Sequence, residues 1–315
     1  MPAANTGRGT GLGYADESTH GTAVSRDHWR PLVSAGLQTQ IEKQARPDLL
    51  VSGGSPVSGG HHSVRSVSGG PVSLLATYNS IGELLKSALG VAATSGSGPF
   101  VHTYTLGVDL PSLTLELLRG TGKSEIFEGS KINQMVLSCS PGQPMQMDLD
   151  FISETSQARG TAGTATYTTD LLILASHAGS LAFGGDTFAL KSMRLTLNNN
   201  LERREKLGAL ESQEPNRSDF AEVILEVELD AVSGSNDTLL ADHLADTQGD
   251  AVITFTSSPS IFEITVHNAY VVSASDPING AGVISQSASL RGESDGTDLG
   301  LKIKVTNANS SASSN

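Results

Sequence analysis

The chain has 315 residues, a formal net charge of −13 and a hydrophobic content of 37%. One cysteine excludes an internal disulfide framework, and no apolar run reaches the ~20 residues of a membrane-spanning helix. The acidic balance argues against a protein that grips nucleic acid by its phosphates. Residues 201–250 hold thirteen acidic and four basic side chains, which predicts a solvated acidic surface. The N-terminal sequence has no signal-peptide core, so we expect synthesis in a cytoplasm.

The two ends of the chain are polar, whereas alternating apolar residues dominate the sequence between them. We expect residues 1–30 to form an N-terminal arm and residues 307–315 to form a disordered tail. Apolar residues at every second position predict half-buried strands. The clearest such segments are SLTLELL (112–118), MQMDLDF (145–151), EVILEVELD (222–230) and LKIKV (301–305).

Two short segments have helical spacing instead. SIGELLKSALG (80–90) begins with Ser80 and Glu83 in the positions of a capping box and ends at Gly90, a suitable helix stop. SNDTLLADHLAD (235–246) can be capped by Asn236 or Asp237. The apolar face of the second helix is formed by Leu239, Leu240 and Leu244.

The two halves of the chain repeat one order of elements: strand, long loop, strand, helix and three strands. FEGSKINQMVLSCS (127–140) and FEITVHNAYVVSAS (262–275) share six of fourteen positions. We therefore predict a mainly β fold of two tandem β-sandwich or β-barrel domains, each flanked by one short α-helix. The predicted boundaries are 31–153 for the first domain (long loop 51–66), 154–180 for a linker and 181–306 for the second domain (long loop 199–219).

The two long loops occupy the same place in the repeat but differ in chemistry. Residues 51–70 read VSGGSPVSGGHHSVRSVSGG, whereas residues 198–220 are highly charged. This difference argues for a shared mechanical role, such as contact with a neighbouring molecule. His61 and His62 are adjacent and have no partners at metal-ligand spacing.

Other segments that resemble chemical motifs are incomplete. RGTGKS (119–124) ends like a phosphate-binding loop, but Leu117 stands where the motif needs a glycine. Asp148 and Asp150 lie on the polar side of a predicted strand, and Cys139 lies in an alternating segment typical of an inert thiol. We therefore predict no catalytic, cofactor-binding or metal site, no cofactor and no enzymatic activity.

ADESTHGTAVSRDHWRPLVSAGLQ (15–38) resembles the start of the tail tube proteins of bacteriophages with long, non-contractile tails (siphovirus type). The residues that carry the resemblance are Glu17, Thr19, Gly21, Thr22, Ala23, Trp29, Pro31 and Leu32. The segments 67–90 and 109–152 are similar to the strand, helix and further strands of that family. The resemblance thus covers most of the chain in order.

The resemblance implies a structural virion protein whose β domains pack into rings that stack into a hollow tail tube. The repeat indicates the tandem-duplicated variety, a homotrimer with pseudo-sixfold symmetry. The implied partners are further copies of the chain, a tape-measure protein in the lumen, tail terminator and baseplate or tail-tip proteins at the ends, and double-stranded DNA that passes without specific binding during ejection. The implied location is the tail of the virion, assembled in the host cytoplasm.

Some of the excess carboxylates are hypothesised to line the lumen, where they would repel DNA phosphates. An alternative function is a carbohydrate-binding or adhesin-like β-sandwich, although aromatic residues make up only 4% of the chain. A β-rich hydrolase is a second alternative, for which no sequence signature is present.

Overall fold

The computed structural model describes residues 7, 9–45, 60–120, 122–167, 171–175, 179–230, 238–278, 284–297 and 299–312. The fold is mainly β, with 61% strand and 6% helix, which confirms the predicted fold class. Among these residues, no helix has the length and apolar character that crossing a membrane requires.

The described residues form twenty-two strands and two helices, which follow one another along the chain. The first half contains β1 (Gly11–Asp16), β2 (His28–Pro31), β3 (Ser34–Ala35), β4 (Gln38–Ala45), β5 (His61–Leu75), α1 (Gly82–Leu89), β6 (Gly90–Ser95), β7 (Phe100–Leu106), β8 (Leu113–Leu118), β9 (Lys123–Cys139), β10 (Gln146–Ser153), β11 (Thr155–Ser156) and β12 (Gly160–Thr161). The second half contains β13 (Gly179–Phe183), β14 (Asp186–Phe188), β15 (Leu190–Asn198), β16 (Leu201–Arg204), β17 (Gln213–Arg217), β18 (Glu222–Asp230), α2 (Thr238–Ala245), β19 (Gln248–Ser257), β20 (Ser260–Ser275), β21 (Ser285–Gly292) and β22 (Leu301–Asn307).

The two halves pair their strands in the same order. The first half pairs β4–β5–β10–β9–β8–β1–β2, and every pairing is antiparallel. The second half pairs β15–β18–β21–β20–β19–β13–β14 in the same sense. This shared topology supports the repeat seen in the sequence, and the halves are called the first and second repeat below. The hairpin β6–β7 has no counterpart between α2 and β19, and it pairs instead with the C-terminal strand β22.

A single apolar row runs across both repeats because the alternating residues stay in register from strand to strand. The row consists of Leu74, Met147, Leu137, Leu195, Leu225, Leu290 and Val271, and all are buried. Helices α1 and α2 pack on this side of the sheet, against β9 and β20 respectively. The core is therefore shared by the two repeats.

The segments predicted to be irregular contain more structure than expected. Residues 11–31 are not an arm, because β1 pairs with β8 and buries Leu12 and Tyr14 completely. Residues 61–66 and much of 199–219 form hairpin strands, since β5 continues to His61 and β16 pairs with β17. Residues 51–59 lie outside the described part of the chain.

The predicted linker and tail also contribute to the fold. Leu174 is fully buried in the core cluster, and β11 and β12 pair with β9. At the C-terminus, the backbone oxygen of Ala312 accepts a hydrogen bond from the Tyr104 hydroxyl. Low apolar content did not prevent order in these segments because neighbouring strands supply the hydrogen bonds.

The two predicted helices are present, but their predicted ends and faces are only partly correct. Gly90 ends α1 with a φ of 111°, as predicted, whereas Ser80 lies outside the helix and no side chain caps its N-terminus. In α2, Leu239 is buried but Leu244 is 79% exposed, so the predicted apolar face is not fully covered. Asn236 and Asp237 lie outside the described residues.

Candidate assembly surface

One β-ladder joins the two repeats into a continuous sheet. The C-terminal half of β9 lies between β10 and β15, and its register with β15 runs from Gln134 opposite Asn198 to Cys139 opposite Met193. The result is an eight-stranded sheet, ordered β4–β5–β10–β9–β15–β18–β21–β20. We call the β9–β15 ladder the internal seam.

Two asparagines, Asn133 and Asn199, fix the end of the internal seam. Neither belongs to a recognisable chemical motif in the sequence. The Asn133 backbone oxygen accepts a hydrogen bond from the Asn199 amide at 2.7 Å, and its side-chain oxygen accepts from Leu201 at 2.8 Å. The fully buried Asn199 side chain donates to the backbone oxygens of Ala88 and Ile132. Asn133 is one of the six repeat identities, aligned with Asn268, which is the signal by which the sequence marks this position.

The eight-stranded sheet ends on two strands that lack a second partner among the described residues. Strand β4 pairs only with β5, and β20 from Val272 to Ser275 pairs only with β21. Ile41 on β4 is 51% exposed and Val272 on β20 is 49% exposed. Unpaired strands with exposed apolar side chains invite pairing with another chain. In the repeat, β20 corresponds to β9 and β4 corresponds to β15. The two free edges therefore correspond to the two strands that pair with each other in the internal seam.

The side of the sheet opposite the core is polar. One row across it consists of Gln146, Ser138, Arg194, Glu226, Ser289 and Ser273. Serines from β9, β15, β20 and β21 surround a shallow depression on this side. A polar sheet surface is what the wall of a water-filled barrel requires, because alternate residues of each strand face the lumen.

Acidic groups outnumber basic groups on this polar face. On β10, β15, β18 and β21 it holds the carboxylates Asp148, Asp150, Glu222, Glu226, Glu228 and Asp230, against the cations Lys191, Arg194 and Arg291. Lys191 bonds to Glu228 at 3.1 Å, and Glu228 together with Asp230 holds the pKa of Lys191 above its ordinary value. Asp148 and Asp150 are half-buried, and burial raises the pKa of Asp150. The wall keeps a net negative charge after these pairings.

The β16–β17 hairpin of the second repeat folds back over the first repeat. Arg203 donates to the backbone oxygens of Ser68 and Ser153, and Arg217 donates to those of Gly107 and Val108. Burial is the main cause that lowers the pKa of both guanidinium groups.

Ionic and backbone contacts complete this attachment. Lys131 bonds to Glu214 at 2.8 Å, and that hydrogen bond lowers the pKa of Glu214. Arg65 bridges Glu42 and Glu205, at 2.7 and 2.6 Å respectively. We call the β16–β17 hairpin with these contacts the internal clasp.

The residues of the N-terminal motif act as a structural anchor. The Glu17 carboxylate accepts four hydrogen bonds, from the backbone amides of Gly21 and Gly129 and the hydroxyls of Ser112 and Thr114. The distances are between 2.7 and 2.9 Å. Gly21 has a φ of 70°, and a Cβ there would lie 2.6 Å from a carboxylate oxygen of Glu154. The motif thus fastens the N-terminal loop to β8 and β9.

The other residues singled out in the sequence are not brought together into a chemical site. His61 and His62 are exposed on β5. Between β8 and β9, the Arg119 amide donates a hydrogen bond to the backbone oxygen of Lys123 at 2.9 Å. Cys139 is buried at the internal seam, and burial raises the pKa of its thiol.

One group of metal-ligand residue types does occur near α1. Asp27, His28 and Glu83 offer ligand atoms within 4.8 Å of one another. The Nδ1 atom of His28 lies 2.7 Å from Asp27 and 3.3 Å from Glu83. Burial, aided by nearby Asp16, raises the pKa of Glu83 to about 8. The three groups meet where the start of β2 contacts the first turn of α1.

The fold and its surface define a class: a β-rich structural subunit with a shared core, one polar sheet face and two open sheet edges of complementary type. A family model described as phage tail tube protein matches residues 7–292, and the chain belongs to this family. The resemblance to phage tail tube proteins is thereby confirmed, and the chain is a structural component of a phage tail. No curated protein matches the chain in a sequence comparison.

Proposed function

We propose that the chain polymerises as closed rings that stack into the hollow tail tube of a siphovirus-type phage. The observation that carries this proposal is the internal seam. It demonstrates within one chain how the β9-type edge of one repeat pairs with the β15-type edge of the next. The free β20 and β4 edges are the same two types, so β20 of one chain pairs antiparallel with β4 of the next.

Three chains close the ring in this scheme. Each chain contributes eight strands to the inner sheet, and three chains give a barrel of about 24 strands. With strands ~4.8 Å apart and tilted by ~40°, the backbone barrel is ~48 Å in diameter. Inward side chains of ~5 Å on each wall leave a lumen of ~38 Å, which accepts a DNA duplex. Because the repeats are similar, the ring has threefold and pseudo-sixfold symmetry.

The polar face of the sheet lines this lumen. Its excess of carboxylates and its many serine hydroxyls repel phosphate and offer few apolar surfaces on which bases stack. Double-stranded DNA therefore passes during ejection without specific binding. Before DNA enters, the lumen holds a tape-measure protein, and tail terminator and baseplate or tail-tip proteins contact the end rings. Assembly takes place in the host cytoplasm, and the chain performs no catalysis.

Electron microscopy of the concentrated, purified chain tests the proposal. We expect end-on views of hollow rings or tubes with threefold or pseudo-sixfold symmetry. Particles that remain small and compact at every concentration would contradict self-assembly and favour a β-sandwich binding module. Hollow rings of six chains would be consistent with a tail tube, but they would contradict the proposal that two repeats in each of three chains make up the ring.

A further inference from the structure

Strands β4 and β5 form a hairpin in the first repeat, and we call its outer described part, residues 43–45 and 61–63, the base of the first-repeat hairpin. This base is exposed in the single chain. Beyond a β-bulge at Glu42 and Lys43, the strands β4 and β5 continue as an exposed ribbon. Lys43, His61 and His62 are all exposed there. This ribbon contacts the second repeat at its inner end, where Arg65 pairs with Glu205 and the Ser66 amide donates to the Leu210 backbone oxygen. In contrast, both strands of the equivalent β16–β17 hairpin are attached to the first repeat, through Arg203 on β16 and through Glu214 and Arg217 on β17.

The repeat identifies the surface that this ribbon matches. The alignment of β5 with β18 places His62 at the position of Arg217, which binds the backbone oxygens of Gly107 and Val108 in the internal clasp. The alignment of β8 with β19 places Gly107 and Val108 at Thr247 and Gln248. The surface that the internal clasp contacts in the first repeat therefore corresponds to the turn between α2 and β19 in the second repeat. For the first-repeat hairpin, that turn would belong to a second copy of the chain.

The charges of the two surfaces are complementary. Asp246 lies in the turn between α2 and β19, and Asp242 on α2 and Asp250 on β19 flank it. Asp246 and Asp250 are exposed, and Asp250 also pairs with His267 at 3.1 Å. In the internal clasp, the carboxylate of Asp109 likewise faces Arg217 and opposes the effect of burial on its pKa. In the internal clasp, the cation Arg217 lies near Asp109, just before β8. The first-repeat hairpin likewise offers the cation Lys43, and Asp246 lies just before β19.

We propose that the base of the first-repeat hairpin docks on the α2–β19 turn of a neighbouring chain, with Lys43, His61 and His62 facing Asp246 and Asp250. This intermolecular clasp rests on the proposed ring, and it adds a contact outside the inner barrel that ties each chain to the next. Exposed ion pairs of this kind are screened by salt, so the clasp weakens as ionic strength rises.

Reciprocal charge reversal tests the intermolecular clasp. Lys43→Glu and Asp246→Lys are each expected to weaken chain-to-chain association about tenfold in sedimentation velocity. The double variant restores the opposite-charge pair and should recover most of the loss. Lys206→Glu is the matched control, because it makes the same charge change on an exposed residue at the end of the internal clasp. Circular dichroism of each variant checks that the fold is kept.

The outcomes separate this inference from the proposed ring. If the wild-type chain forms rings and both single reversals associate as tightly as wild type, the intermolecular clasp is wrong and the ring stands. If both reversals weaken association but the double variant recovers nothing, the two residues do not face each other. If the wild-type chain never associates, the ring and the clasp are both contradicted.

Discussion

Substitution of Ile41 by proline should block ring closure while sparing the fold of the chain. Ile41 lies opposite Ser66 in the β4–β5 ladder, and the Ser66 amide donates at 2.7 Å to Leu210, away from β4. In an antiparallel ladder both members of such a pair point their N–H groups outward. The Ile41 N–H therefore faces the free edge, and proline there removes a donor that in the proposed ring is used by the neighbouring chain.

The size of the effect follows from what the seam loses at this residue. One ladder hydrogen bond contributes about 1 kcal/mol, and leaving its acceptor buried without a donor costs a further 1–3 kcal/mol. Ile41 is half exposed in the single chain, so its burial in the seam contributes about 1 kcal/mol, part of which proline retains. We expect a loss of about 3 kcal/mol for each seam, which is a factor of roughly 100 in the association constant.

Sedimentation velocity over a concentration series measures this effect. Ile41→Val serves as the control, because it keeps the N–H and the β-branched shape and should assemble close to wild type. Thermal melts of the unassembled chains should coincide for the three proteins. If Ile41→Pro forms rings at the wild-type concentration with an unchanged melt, the β4 edge is not part of the seam.

Three further predictions concern the anchor, the buried acid and the lumen. Glu17→Ala leaves the amides of Gly21 and Gly129 without their acceptor, so we expect a loss of ~2–6 kcal/mol in the free energy of unfolding, measured by urea titration. Because the pKa of Glu83 is raised to about 8, the folded state holds a proton that the unfolded state releases near its ordinary value, so its contribution to stability falls as pH rises from about 4.5 to 8. Glu83→Gln should therefore flatten the dependence of the melting temperature on pH and raise stability most near pH 8. Glu226→Lys should make assembled tubes retain DNA in a gel-mobility assay that wild-type tubes leave unshifted.

Each of these predictions has a result that would contradict it. An unfolding free energy for Glu17→Ala equal to that of the control Glu202→Gln, at an exposed carboxylate, would show that the anchor is dispensable. If the melting temperature of Glu83→Gln keeps the wild-type dependence on pH, that dependence arises from groups other than Glu83. DNA passing Glu226→Lys tubes as freely as wild-type tubes would show that this residue lies outside the lumen.

The strands and the repeat were predictable because they depend on local alternation. The predicted segment EVILEVELD coincides with β18, since one side of that strand faces the core and the other faces water. The alternation in SLTLELL predicted a half-buried strand, yet β8 is buried on both sides. Its polar residues Thr114 and Glu116 are covered because Glu17 and Arg26 come from a distant loop to meet them. Such partners, about 90 residues away, leave no local signal.

The helix cap and the assembly surface show two further limits of sequence reasoning. Ser80 has the residue type of a cap, but its backbone adopts a φ of 63° and its oxygen accepts a hydrogen bond from the buried Arg30. Contacts with distant residues therefore determine the backbone conformation at Ser80, rather than the local capping-box pattern. The internal seam depends on the register between β9 and β15, which two half-buried strands with similar alternation do not specify by themselves. The sequence predicted a mechanical surface, whereas the edges that form it emerged only from the strand order.

A cryo-electron microscopy map of the assembled particle tests the proposed tube most directly. We expect three chains in each ring, an inner barrel of about 24 strands and a seam in which β20 from Val272 to Ser275 pairs antiparallel with β4 of the next chain. The carboxylates of β18 should face the lumen. A map in which β4 and β20 remain solvent-exposed, or in which neighbouring chains meet through other strands, would contradict the assembly inferred from the internal seam.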